Sequence, residues 1–223
     1  MLKRLALLVF ASSFVLTTKA DTIVASSASN TSNNSGNPTL NIAPNPSWAA
    51  PFAGSNWVSY TNSGNPSAAG YVSPANGTDY IFSQTFTLSG TATGGTLDVM
   101  ADDTASVSLN GNLIYSAALG SGVSYPTCAN KPIGCLTSTE DIINLGNYLG
   151  DFNSSGTDTL SFQVYQEAGV SYGLDYYGTI TTSLLPTPLV AAIPEPGTLT
   201  MLGIGLAGLL VVRRRGFARD FTS

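Results

Sequence analysis

The sequence predicts an all-β protein, an antiparallel β-sandwich set between two apolar ends. Three observations carry that expectation. Short runs of alternating apolar and polar residues recur between residues 80 and 181, the period of a half-buried strand. Gly, Asn and Pro separate these runs, with 23 Gly and 12 Pro in 223 residues. Two of the runs are joined by Asn110-Gly111, a tight-hairpin signal because the favoured two-residue loop needs positive φ at both positions.

Taken in order, Tyr80 to Leu88 alternates and puts Phe82, Phe86 and Leu88 on one face. Thr96 to Ala101 turns Leu97, Val99 and Ala101 inward, and Ala105 to Leu109 does the same with Val107 and Leu109. After the hairpin, Leu113-Ile114-Tyr115 resumes a strand. Thr159 to Tyr165 alternates cleanly, and Tyr176 to Thr181 is the last strand. An early strand is placed near Leu40 to Ala43. One short helix is expected over Thr139 to Leu149, with Ser138 or Thr139 as cap and Ile142, Ile143 and Leu145 as its apolar residues.

The first twenty residues read as a signal peptide. Lys3 and Arg4 precede an apolar stretch from Leu5 to Leu16, and Thr18-Lys19-Ala20 supplies small residues for signal peptidase, with cleavage after Ala20. At the other end, Gly197 to Val212 carries no charge. As a helix it measures about 24 Å, slightly short of a bilayer core of about 30 Å. Arg213, Arg214 and Arg215 follow and hold that end in the cytoplasm. The domain plan is a signal peptide over 1–20, a flexible segment over 21–47 and a sandwich over 48–182. A proline-rich linker then covers 183–193, an apolar C-terminal segment with one transmembrane helix 194–217, and a tail 218–223.

Pro194-Glu195-Pro196, the glycine-rich apolar stretch and the arginine cluster resemble the PEP-CTERM sorting signal of exported bacterial proteins. Gly216 to Ser223 extends past the arginines, a little longer than the family's usual ending. The resemblance implies transient insertion in the inner membrane and removal of the helix by an exosortase. It also implies delivery to the outer surface or extracellular matrix of a Gram-negative-type bacterium that makes extracellular polysaccharide.

Between the two ends, residues 21–192 hold one lysine, Lys131, against eleven acids, a formal charge of −10. Such a surface repels phosphate backbones, so nucleic acid is excluded as a partner, while neutral glycans and divalent cations remain. The chain has no histidine. That excludes a Ser-His-Asp triad, a Cys-His dyad and His-ligated zinc. Cys128 and Cys135 are the two cysteines, and in an oxidising compartment they are expected to form a disulfide that staples a loop. Catalysis would have to rest on carboxylate pairs drawn from Glu140, Asp141, Glu167 and Asp175, and their spacing does not single one out. The expected protein is not an enzyme.

Two binding constellations stand out. Asp102 and Asp103, at a strand end, can converge on one hard cation with Asn110, which makes calcium the candidate cofactor; Asp also favours turns. Trp48 offers a flat ring for a sugar face or a core residue, and Trp57 reads as core. Tyr172, Asp175 and Tyr176 form a second candidate glycan patch. The Trp48 and Trp57 segment, the Tyr80 to Leu88 strand and Leu97 to Asp103 followed by Val107 to Gly111 resemble galactose-binding-like jelly rolls and carbohydrate-binding modules. The resemblance implies a non-catalytic sandwich associated with extracellular polysaccharide. A structural surface protein without a glycan ligand is the alternative, and a carboxylate-based glycan-cleaving enzyme comes third.

Overall fold

The computed structural model describes residues 18–24, 38–117, 127–130, 132–154, 156–167, 169–183, 201 and 203–207. The chain divides into two compact units, Met1–Leu185 and Pro186–Ser223. Among the described residues the first unit holds ten strands: β1 Thr18–Val24, β2 Leu40–Asn41, β3 Val58–Ser59, β4 Asp79–Thr87, β5 Thr91–Asp102, β6 Thr104–Leu109, β7 Asn112–Tyr115, β8 Asp141–Asn144, β9 Thr157–Tyr165 and β10 Gly173–Ser183.

The strands form two antiparallel sheets. Sheet A runs β2-β3-β10-β5-β8, with β1 also paired to β10; sheet B runs β4-β9-β6-β7. Alternation sets the faces. Leu97, Val99 and Ala101 of β5 stand beside Gly178, Tyr176 and Leu174 of β10 and meet Phe82, Val107, Leu109, Leu160, Phe162 and Val164 from sheet B in one core. Phe162 and Tyr176 stack across the sheets, ring centroids 4.3 Å apart. Buried tyrosines need partners for their hydroxyls. Tyr176 Oη donates to Gln84 Oε1 at 2.7 Å, and Tyr172 Oη donates to the Val164 carbonyl at 2.7 Å.

The expected sandwich is present, and β4, β5, β6, β7, β9 and β10 lie where alternation placed them. Two elements differ. The helix expected over Thr139 to Leu149 is a strand followed by a 3-10 helix, Leu145–Asp151. Ile142 and Ile143 are both β-branched, which suits a pleated surface, and β8 pairs with β5 from Thr96↔Asn144 to Val99↔Asp141. The second difference is β1. Asp21–Val24, assigned to a flexible segment, pairs with β10 together with Thr18–Ala20, and Thr18 lies opposite Ser183.

In the second unit, Met201 and Gly203–Ala207 are helical. Among the described residues no helix is long and apolar enough to cross a membrane. Most of the signal-peptide segment, residues 25–37, the linker over 184–193, the tail over 218–223, and Pro194, Glu195, Pro196, Arg213, Arg214 and Arg215 lie outside the described residues.

Candidate functional site

The residues expected to meet a ligand are gathered, but under cover. The strap from Ile42 to Trp57 and the Cys128–Cys135 loop fold over the outer face of sheet A. There Ile42, Trp48, Trp57, Met100 and Cys135 form a second small core. The disulfide between Cys128 and Cys135 is formed. Trp48 and Trp57 pack with ring centroids 4.4 Å apart. Gly173 makes this possible, since a Cβ there would stand 3.0 Å from the Trp48 ring. Trp48 is 8% exposed; of its two readings, core residue or sugar platform, this fits the core residue.

The strap is held down by buried carboxylates. Trp48 Nε1 donates to Asp102 Oδ2 at 2.9 Å. Asp103 accepts from the Cys128 N–H at 3.2 Å and from the Glu167 N–H at 2.6 Å. Asp175, whose neighbour across the sheet is Met100, accepts from the Phe52 N–H at 2.9 Å. Burial, followed by the charge of Asp103 and a hydrogen bond to it, pushes the Asp102 carboxyl well above the ordinary carboxylate range. Burial pushes Asp175 up to about 6, against hydrogen bonds from Ser55 and backbone N–H groups that favour its charged form.

The expected calcium set does not assemble. Asp102 and Asp103 are buried and turned to N–H donors, the opposite of what a cation requires. Asn110 lies beyond the far end of β6, roughly 20 Å from Asp103 at the strand rise. It is the hairpin residue, with φ 51°. Its amide donates to the Asp151 carbonyl and to Asp158 Oδ1 and accepts from the Thr159 N–H. The second glycan patch is sealed as well: Tyr172, Asp175 and Tyr176 are all buried, with both tyrosines in the main core. Tyr177, next along β10, is half-buried on the outer face opposite Asp98.

An open site lies on the outer face of sheet B. A groove of about 330 Å³ is lined by Ile81, Ser106, Ser108, Leu113, Ser116, Ala117, Ser161, Gln163 and Tyr165. Apart from Ser116 and Ala117, which follow β7, these are alternate residues of the strands whose other faces build the core. Register sets them in rows: Ile81 beside Gln163 beside Ser106, and Ser83 beside Ser161 beside Ser108. Rows repeat across the sheet at the interstrand spacing of about 4.8 Å. Gln163 Nε2 donates to Asp79 Oδ2 at 2.8 Å, and Ser106 Oγ accepts from the Ala117 N–H at 3.0 Å, so both are held in place. Leu113 is 60% and Ile81 40% exposed. The lining combines hydroxyls, an amide, a phenol and three apolar side chains, with no charged group among the described residues. Sequence reading passed over it because serines on the polar side of a strand look like ordinary solvent-facing residues. Tyr165, Ile81 and Leu113, large apolar or aromatic residues at the outward positions of their strands, are the signal the sequence carries.

The chain is thus an antiparallel β-sandwich followed by a separate C-terminal unit. Residues 192–215 match the PEP-CTERM protein-sorting motif, so the chain carries the sorting signal of an exported protein that is anchored at its C-terminus before an exosortase processes it. No curated protein matches the chain. Among solved structures it is similar to a family 35 carbohydrate-binding module from Clostridium thermocellum, at 10% identity and a TM-score of 0.34, over 71% of this chain and 97% of that one.

Proposed function

We propose that the exported domain is a non-catalytic module that associates with a neutral extracellular polysaccharide through the outer face of the β4-β9-β6-β7 sheet. In this reading a signal peptidase removes the leader after Ala20, the C-terminal segment inserts transiently in the inner membrane, and the processed domain joins the surface or matrix of a Gram-negative-type cell. The observation that carries the binding assignment is the uncharged, hydroxyl-lined groove. Sugars offer C–H faces to apolar and aromatic side chains and hydroxyls to polar ones. Ile81, Leu113 and Tyr165 supply the first kind of surface; Gln163 and the four serines supply the second.

Two of the four carboxylates weighed for catalysis are otherwise engaged. Asp175 is buried under the strap, and Asp141 accepts a hydrogen bond from the Tyr115 hydroxyl. The test is affinity electrophoresis of the 21–192 segment through gels containing neutral polysaccharides, beside Tyr165→Ala and Gln163→Ala variants. Retardation of the native domain, weakened at least about tenfold in either variant, is expected; a good sugar contact of about 1.4 kcal/mol corresponds to that factor. Unretarded migration in every gel, with concentration-dependent sedimentation instead, would replace this reading with that of a self-associating structural protein.

A further inference from the structure

The disulfide lies against a buried acid. A carboxylate oxygen of Asp102 and the Sγ atoms of Cys128 and Cys135 all lie within 4.8 Å of one another. The two sulfurs differ in their surroundings. Cys128 is half-buried and flanked by the exposed Thr127 and Ala129. Cys135 is 2% exposed and sits in the small core with Ile42, Trp48, Trp57 and Met100. Both cysteine backbones are tied down. The Cys128 N–H donates to Asp103 Oδ1. The Cys135 N–H donates to the Cys128 carbonyl at 3.0 Å, and the Cys135 carbonyl accepts from the Ala49 N–H at 2.8 Å. Breaking the S–S bond therefore leaves both sulfurs beside Asp102.

Thiol–disulfide exchange begins when a thiolate attacks one sulfur and expels the other. Cys128 is the less buried of the two, so Cys135 is the leaving group. A thiolate expelled into that apolar core is a buried, unpaired charge, which is costly. The chain has no histidine to protonate it, and among the described residues the acid grouped with both sulfurs is Asp102. Burial, followed by the charge of Asp103 and a hydrogen bond to it, keeps the Asp102 carboxyl protonated well above the ordinary carboxylate range.

We propose that Cys128–Cys135 is an exchange site for small thiols, with Cys128 as the point of attack and Asp102 as the proton donor to Cys135. The incoming thiolate bonds to Cys128 Sγ as the S–S bond breaks, and the Asp102 proton passes to Cys135 Sγ. A mixed disulfide on Cys128, a Cys135 thiol and an Asp102 carboxylate result. A second thiolate attacks the reagent's own sulfur, Cys128 leaves and takes a proton from water, and the two reagent molecules depart as their disulfide. Asp102 recovers its proton from solvent. In the reverse direction the Asp102 carboxylate takes the Cys135 proton as the bond closes.

The test treats the full-length oxidised chain in detergent micelles with glutathione, quenches with iodoacetamide and maps the adducts by mass spectrometry. Asp102→Asn and Trp48→Phe variants are run alongside. Glutathione is expected on Cys128 and the alkyl group on Cys135. At pH 7 Asp102→Asn should react at least about tenfold more slowly, since the amide cannot give up a proton. Trp48→Phe loses the hydrogen bond to Asp102 but keeps the acid, and should react at the native rate or faster. From about pH 6 to 9, the native rate per glutathione thiolate should fall as Asp102 ionises, and the Asp102→Asn rate should stay level. Asp103, next in the chain, and Asp175, one alternate position along β10 from the Gly173 that pairs with Asp102, are the other carboxylates on this side. Both remain in the variant, so a level profile there assigns the fall to Asp102. Glutathione on Cys135, a level native profile, or Asp102→Asn reacting as fast as the native chain would each overturn the proposal. The first two readings need only the native chain.

Discussion

Asp175 shows how one side chain can tie stability to pH. Its Oδ2 binds the Phe52 N–H, and its Oδ1 has no hydrogen-bond partner among the described residues. Burial raises its pKa from 3.8 to about 6. An acid with a raised folded-state pKa holds its proton more tightly folded than unfolded. Below pH 3.8 it is neutral in both states and has no effect. Between 3.8 and about 6 the unfolded chain ionises first, so stability falls with rising pH, and above about 6 the loss is complete. The shift corresponds to about 3 kcal/mol, and Asp102, raised by burial and by Asp103, acts in the same direction. Melting temperatures recorded from pH 4 to 8 should decline across that window, and Asp175→Asn should flatten the decline. Parallel profiles for the two proteins would mean that Asp175 does not carry it. Tyr176 makes the opposite kind of contribution, since its hydroxyl reaches Gln84 across the core. Tyr176→Phe should lower stability by about 1–2 kcal/mol in denaturant titrations, because it leaves the buried amide oxygen without that donor.

At the scale of elements, the strap and the disulfide loop behave as one piece. Cys128 and Cys135 are seven residues apart, and closing so short a loop contributes about 2–3 kcal/mol. Cys135 shares the small core with Trp48 and Trp57, the two tryptophans of the chain. Replacing both cysteines by serine should lower the unfolding free energy by about that amount and shift tryptophan emission to the red. Unchanged emission would show that the strap holds without its staple. This piece is also where sequence reading stopped short. Alternation told inside from outside along β5 and β10, so Leu97, Val99 and Tyr176 were legible as strand positions. It did not tell that the outside of sheet A is itself covered. That cover joins residues far apart, as Phe52 to Asp175 and Trp48 to Asp102, and no local pattern encodes such pairings. Trp48, Asp102, Asp103 and Asp175 therefore meet at a covered junction, whereas Tyr172 and Tyr176 lie in the main core and Asn110 at the hairpin. β8 was misread for a local reason: four residues with Leu145 beyond them fit a helical spacing until the partner strand β5 is present. β1 is hard to read because it follows an apolar stretch, where Thr18-Lys19-Ala20 reads as a processing signal and not as strand.

For the molecule as a whole, charge decides which polymers can approach. Residues 21–192 carry a formal charge of −10, whereas the groove on sheet B is lined by nine residues without a charge. A neutral chain entering the groove gains contacts whose strength does not depend on ionic atmosphere. An anionic chain meets the field of the whole domain before it reaches the groove, and that field is screened only when the Debye length shrinks, to about 10 Å at 0.1 M salt and about 3 Å at 1 M. The two classes of ligand therefore predict opposite salt responses. Retention of the domain on a neutral polysaccharide should change by less than about twofold between 0.02 and 0.5 M sodium chloride. Retention on a carboxylated or sulfated polysaccharide should be absent at low salt and should increase, if at all, only as salt is added. A domain that binds the anionic polymer best at the lowest salt would need a cationic surface, which the single lysine of this segment cannot supply; that result would point to bridging by a divalent cation, and chelator sensitivity of the same retention would establish it.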